Sequence, residues 1–189
     1  NKQKRTFEAL TELIQETADD FQYLESISNA LDIALSEADL AQIKEELMQS
    51  GYIRRKHTKK KVKLTSKPMH YISSDGYDMY VGKNNLQNEE LTFSFANGND
   101  WWFHAKGAPG SHVIVKSGGD ELPDRTFEEA GRLAAYYSKN RGADKVEIDY
   151  IQKKHVKKPN GAKPGFVVYY TNYSLVIDSD ISNIKNVQD

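Results

Sequence analysis

Apolar positions return at helical spacing through the first fifty residues and at strand spacing from Met69 onward. Leu10, Ile14, Thr17, Phe21, Leu24, Ser28, Leu31 and Leu35 recur in alternating steps of four and three, with Leu13 and Ile27 widening the stripe. Thr6 to Ser50 contains neither proline nor glycine, so the pattern predicts a long helix close to a heptad seam. Ser36 is placed to cap a second helix over Glu37–Gln49, with Leu40, Ile43 and Leu47 on one face and Gly51 as its C′ residue. A small helical bundle and a coiled-coil arm lacking its partner strand both fit this pattern.

Beyond Met69 the period shortens. Met69–Ser73 and Tyr77–Val81 flank a Ser-Asp-Gly turn and predict a hairpin. Leu91–Phe95, Trp101–His104, His112–Lys116, Val146–Ile151, Phe166–Thr171 and Tyr173–Ile177 are further strand candidates, rich in β-branched and aromatic residues. Thr126–Glu129 reads as a capping box opening a helix whose apolar face is Phe127, Ala130, Leu133, Ala134 and Tyr137, closed by Gly142. The expected class is α+β: a mostly antiparallel sheet with one main helix, preceded by a helical segment. We divide the chain into helical residues 1–50, a basic linker 51–68 and an α+β domain 69–189.

Charge sharpens this division. The net charge of −1 hides a strong asymmetry: residues 1–50 hold four basic and eleven acidic side chains, and the remaining 139 hold 22 basic and 16 acidic. Residues 51–67 alone carry eight Lys or Arg and no acid. A solvated linker explains such a run, and so does a polyanionic partner that relieves its self-repulsion. Cysteine is absent, which excludes disulfides and thiolate metal sites and suits a reducing compartment. No apolar run approaches the ~20 residues that span a bilayer, so no membrane partner is expected, and no secretory signal is visible. The chain opens on Asn1 rather than Met, which leads us to expect a piece of a longer protein.

Three clusters carry candidate chemistry. Lys83-Asn84-Asn85-Leu86-Gln87-Asn88 offers one charge and several amides, which local turn bonding would also explain. Lys153, Lys154, Lys157, Lys158 and Lys163 lie on a loop stiffened by Pro159, Pro164, Gly161 and Gly165, without an acid. Such a loop holds phosphate donors at fixed spacing. Between them, Asp100-Trp101-Trp102-Phe103-His104 leads through Lys106 and Gly110 to Ser111-His112. The His spacing matches no metal motif. Strand alternation leaves Ser111 only His104 as a base, so neither a metal, a cofactor nor catalysis is expected. The same alternation turns one tryptophan inward and one outward, and Trp102 is our candidate for stacking on a base.

The stretches "DGYDMYVGKNNLQNEELT", "DWWFHAKGAPGSHV", "AAYYSKN" and "KKPNGAKPG", in this order, resemble the RNA-binding (NFACT-R) domain of the family typified by NEMF and bacterial RqcH. Some bacterial members are called fibronectin-binding protein A or PavA. The resemblance covers about Met69–Ile181, and "DIALSEADLAQIKEELMQSGYI" looks like the end of that family's middle coiled coil. It implies a cytoplasmic factor in ribosome-associated quality control, with the large ribosomal subunit, rRNA and tRNA as partners and alanine tailing of stalled chains as the process served. On this resemblance Lys83, Lys106 and the loop lysines hold phosphates, and Asn84, Asn88, His104 and His112 contact sugar, phosphate or base edges. Asp100, Trp102, Gly110 and Ser111 complete the expected RNA-facing rim. The alternative that the names raise is an adhesin fragment whose partner is fibronectin.

Overall fold

The computed structural model describes residues 1–56 and 62–187. His57, Lys59, Lys60 and Lys61 of the basic linker lie outside them. Helix α1 spans Lys2–Ile33 and α2 spans Glu37–Gln49. As expected, the Ser36 hydroxyl accepts the Asp39 N–H at 3.2 Å, with Glu37 and Asp39 in the favourable first turn. Gly51 follows with φ +80°, where other residues are strained. The buried face of the pair is Tyr23, Ile27 and Ala30 against Ile43, with Leu47 packed alongside. It is rotated away from the seam read in the sequence, since Leu24, Leu31 and Leu35 are all at least 43% exposed, and Leu40 of the face expected for α2 is exposed too. The N-terminal two-thirds of α1 stays exposed, leaving Phe7, Leu10, Ile14 and Phe21 in solvent. Among the described residues no helix is long and apolar enough to cross a membrane.

Seven strands form one antiparallel sheet in the order β6-β5-β3-β4-β2-β1-β7. They are β1 Met69–Ile72, β2 Asp78–Val81, β3 Trp101–Ala105, β4 Val113–Val115, β5 Val146–Gln152, β6 Tyr173–Ile177 and β7 Lys185–Asn186. The predicted hairpin pairs Met69 with Val81 and turns at Gly76, φ +87°. Helix α4, Asp124–Tyr136, covers one face and buries Ala130, Leu133 and Ala134 on Met79, Phe103, Val113, Val115 and Ile148. Gly131 brings α4 close to the sheet edge, since a Cβ there would lie 2.9 Å from Leu175. Ile33 joins this core from the end of α1, the Asn29 amide donates to the Tyr137 carbonyl at 3.2 Å, and Lys139 pairs with Asp32 at 2.7 Å. The helical segment is therefore docked on the α+β domain.

Three local expectations are corrected. Leu91–Phe95 is a π-helical turn continuing α3 (Asn85–Glu90), closed by the Ala96 N–H on the Leu91 carbonyl. Both edges of every central strand are already paired, so this segment packs over the sheet through Leu91 and Ala96. Phe166–Thr171 forms only a bridge between Val168 and Lys157, because Val167 and Tyr169 turn down onto the second core around Trp102, Ile114 and Ile151. The capping box is not formed. Helix α4 starts at Asp124, the Thr126 hydroxyl donates to Asp75, and Glu129 accepts the Ser74 N–H, tying α4 to the β1–β2 turn. The helix also ends at Tyr136, six residues short of Gly142.

Candidate nucleic-acid interface

Strand β3 lies between β5 and β4, so its alternating side chains enter two different cores. Trp101 meets Phe127 edge-on at 4.9 Å beneath α4. Trp102 enters the opposite core, fully buried, with Tyr169 at 4.9 Å. It therefore presents no face on which a base could stack, which corrects the expectation for this residue. Asp100 is likewise inward: its carboxylate accepts the Asn97 N–H at 2.8 Å, the Ser117 N–H at 3.0 Å and the Lys116 ammonium at 2.5 Å. It organises the turn into β3.

His112 is held as a neutral core group. His112 Nδ1 lies 2.8 Å from the Thr92 hydroxyl, and its backbone N–H donates to Asn88 Oδ1 at 3.0 Å. Burial, and then the neighbouring His104, push the His112 pKa down to about 3. His104 stands half-buried at 5.7 Å from the His112 ring, and burial also lowers its pKa. Phosphate contacts strengthened by protonation near pH 6.5, the behaviour of an unperturbed imidazole, are thus not available to His112. Ser111 Oγ is buried without a hydrogen-bond partner. It borders a small polar hollow with Asn29, Lys83, Asn84 and Gly110. Among the described residues no group of three His, Cys, Asp or Glu side chains is placed to hold a metal ion.

The amide-rich loop faces the helical arm. Lys83 Nζ pairs with Asp39 at 3.1 Å, with side chains 16% and 3% exposed. Asn84 caps α3 with its Oδ1 on the Gln87 N–H, and its amide donates to Gln42 at 2.9 Å. Gln87 donates to Gln42 at 2.6 Å and to Ser66 at 2.9 Å. Asn85 donates to Glu46 at 3.0 Å and to Ser26 at 2.8 Å. Asn88 sits so close to Gly82 that any Cβ there would strike its Oδ1 at 2.0 Å. Burial raises the Glu46 pKa against the hydrogen bonds from Tyr23 and Asn85. Burial also opposes the Asp39 carboxylate, but the Leu35 N–H, the Ser66 hydroxyl and Lys83 outweigh it and hold its pKa low. These groups clasp α2 to the sheet domain. Sequence reading missed the α2 half, although Asp39, Gln42 and Glu46 recur at three and four residues on one helix face.

The basic loop divides in two. Lys163 reaches back to α1, 2.8 Å from Asp20 and 4.6 Å above the Tyr23 ring, and Lys158 pairs with Glu89. Lys106 forms an exposed pair with Glu147 at 2.8 Å. Lys153, Lys154 and Lys157 make no ion pair among the described residues, and Lys154 and Lys157 are exposed. Gly110 has a structural duty: a Cβ there would crowd Ser138 at 3.0 Å. Of the residues singled out in the sequence, the structure leaves Lys153, Lys154 and Lys157 on one loop without an ion pair among the described residues. It spends Lys83, Asn84, Asn88, Asp100, Trp102 and His112 on the fold.

Comparison with known proteins places this geometry. Residues 67–171 match the NFACT protein RNA binding domain, and residues 1–66 match the NFACT N-terminal and middle domains. The chain is 43% identical over 188 residues to the Rqc2 homolog RqcH of Streptococcus pneumoniae, covering 99% of this chain and 34% of that protein. A shorter match, 35% over 69 residues, is to the ribosome quality control complex subunit NEMF homolog of Drosophila melanogaster, covering 36% of this chain and 7% of that protein. The solved C-terminal part of the fibronectin/fibrinogen-binding protein of Streptococcus suis superposes with a TM-score of 0.88 at 41% identity, covering 96% of this chain and 74% of that one. The chain spans about a third of the length of the RqcH relative. With its β-sheet domain matched by the RNA-binding model and its helices by the middle region, the chain belongs to the NFACT family of RqcH and NEMF.

Proposed function

We propose that this chain is the RNA-binding module of a cytoplasmic ribosome-associated quality-control factor. It engages large subunits that carry stalled peptidyl-tRNA, and it supports tRNA recruitment for C-terminal alanine tailing. The observation that carries this reading is the set of unpaired lysines, Lys153, Lys154 and Lys157, on a loop anchored at both ends. Lys163 fastens the loop to α1, so its cations are presented at reduced entropy cost to a phosphate backbone. On this reading the module binds RNA and does not cut it.

The name of the Streptococcus suis structure favours a second reading, capture of fibronectin. Binding to RNA and to fibronectin, measured side by side across a salt series, separates the two. The RNA reading expects affinity for RNA that falls steeply with salt and leaves the RNA intact in the presence of divalent ions. Fibronectin binding without RNA binding would overturn it.

A further inference from the structure

The π turn that replaces the expected strand also creates a surface. Leu91 and Ala96 stay inward, and Phe95 turns out to 41% exposure. Its ring meets Tyr80 edge-on at 4.8 Å, and Tyr80 in turn stacks on His70 at 4.4 Å with planes 7° apart. Cations border this aromatic row. Lys116 Nζ lies 4.7 Å from the Phe95 centroid, and Lys153 Nζ lies 6.0 Å from that of Phe93. The Lys154 N–H bonds the Gly98 carbonyl at 3.0 Å, which fixes the basic 3₁₀ turn Lys153–His155 beside the ridge. Nearby carboxylates are largely occupied: Asp100 is buried on Lys116, and Asp78 bonds His70 at 2.7 Å. Glu90, exposed at the end of α3, forms the acidic border.

Resting on the RNA-binding reading, we propose that the Phe93–Phe95 ridge is a stacking platform for unpaired bases of single-stranded RNA. The phosphates of the strand lie along Lys153 and Lys154. An exposed ring has a use only where base faces are free, and an A-form duplex keeps its faces stacked. The exposed stripe on α1, Phe7, Leu10 and Ile14, offers a single ring, and although Lys4 and Arg5 precede it, Glu8, Glu12, Glu16 and Asp19 run along the same helix and oppose a phosphate backbone. π turns are frequent at functional sites.

The test is anisotropy of a labelled single-stranded RNA and of a duplex of equal length, with wild type, Phe95→Ala, Phe95→Trp and Tyr170→Ala. Phe95 is exposed, so thermal unfolding should show Phe95→Ala folded as wild type. The expected result is about 10-fold weaker single-strand binding for Phe95→Ala, within the range of one lost base–aromatic stack. Duplex binding should be unchanged. Phe95→Trp should retain affinity and show indole quenching on binding, and Tyr170→Ala, an exposed aromatic off the ridge, should bind normally. Wild-type binding undiminished in Phe95→Ala, or lost only in Tyr170→Ala, would overturn the platform and leave the RNA-binding reading standing. Wild type that binds no RNA would overturn both.

Discussion

Replacing Lys83 with Met keeps the aliphatic stem and removes one charge from the clasp between α2 and the sheet domain. The Asp39 carboxylate left behind is 3% exposed on its side chain and retains the Leu35 N–H at 3.0 Å and the Ser66 hydroxyl at 2.7 Å. Breaking a buried ion pair by removing one partner costs ~3–5 kcal/mol. Two surviving donors, and water reaching a lysine that is 16% exposed, reduce this. We expect a loss of about 2 kcal/mol, or a midpoint lowered by about 4–8 °C at this chain length. Urea unfolding should show a shifted midpoint at constant m. The double variant with Asp39→Asn should lose less than the sum of the singles, because the two groups act on each other. RNA affinity, measured where the variant is folded, should be unchanged. Normal stability with weakened RNA binding would refute the clasp and return Lys83 to the RNA surface.

Two further outcomes follow from burial. Trp102→Ala should cost ~3–5 kcal/mol in denaturant unfolding, as deletion of a fully buried aromatic does, and Trp101→Ala should cost less; equal small losses would contradict the two-core description. His112 is protonated in the unfolded chain near pH 6.5 but in the folded chain only near pH 3. Stability should therefore be full above about pH 6.5 and fall as pH drops toward 3, because the unfolded state binds the proton first. His112→Gln should flatten that part of the pH–stability curve; an identical slope in the variant would show that His112 does not titrate this way.

The sequence made legible much of what rests on local chemistry, the Thr126–Glu129 capping box excepted, since those side chains bond the β1–β2 turn instead. The Ser36 cap, the turn at Gly76, the strands around Trp101 and Val146, and the apolar face of α4 all stand where periodicity and turn residues place them. Leu91, Phe93 and Phe95 alternate as a strand would, yet the central strands are already paired on both edges and the segment packs over the sheet instead, which only the tertiary context reveals. Lys83, Asn84 and Asn88 carry the residue types of an RNA loop, but the same donors satisfy buried acceptors on α2 and on the backbone of His112. Charge and amide content cannot say which way a loop faces. The five loop lysines read alike in sequence, and only the fold shows that Lys158 meets Glu89 and that Lys163 meets Asp20, 143 residues away.

The salt dependence of RNA affinity, compared between wild type and the variant carrying Lys153→Ala, Lys154→Ala and Lys157→Ala, tests the central claim most directly. Each phosphate contact to a single strand contributes ~0.7 to the slope of log affinity against log salt. Wild type should lose affinity steeply as salt rises, and the variant, folded as wild type, should show a slope smaller by about 2. An unchanged slope in the variant would contradict the assignment of this loop as the phosphate-binding element.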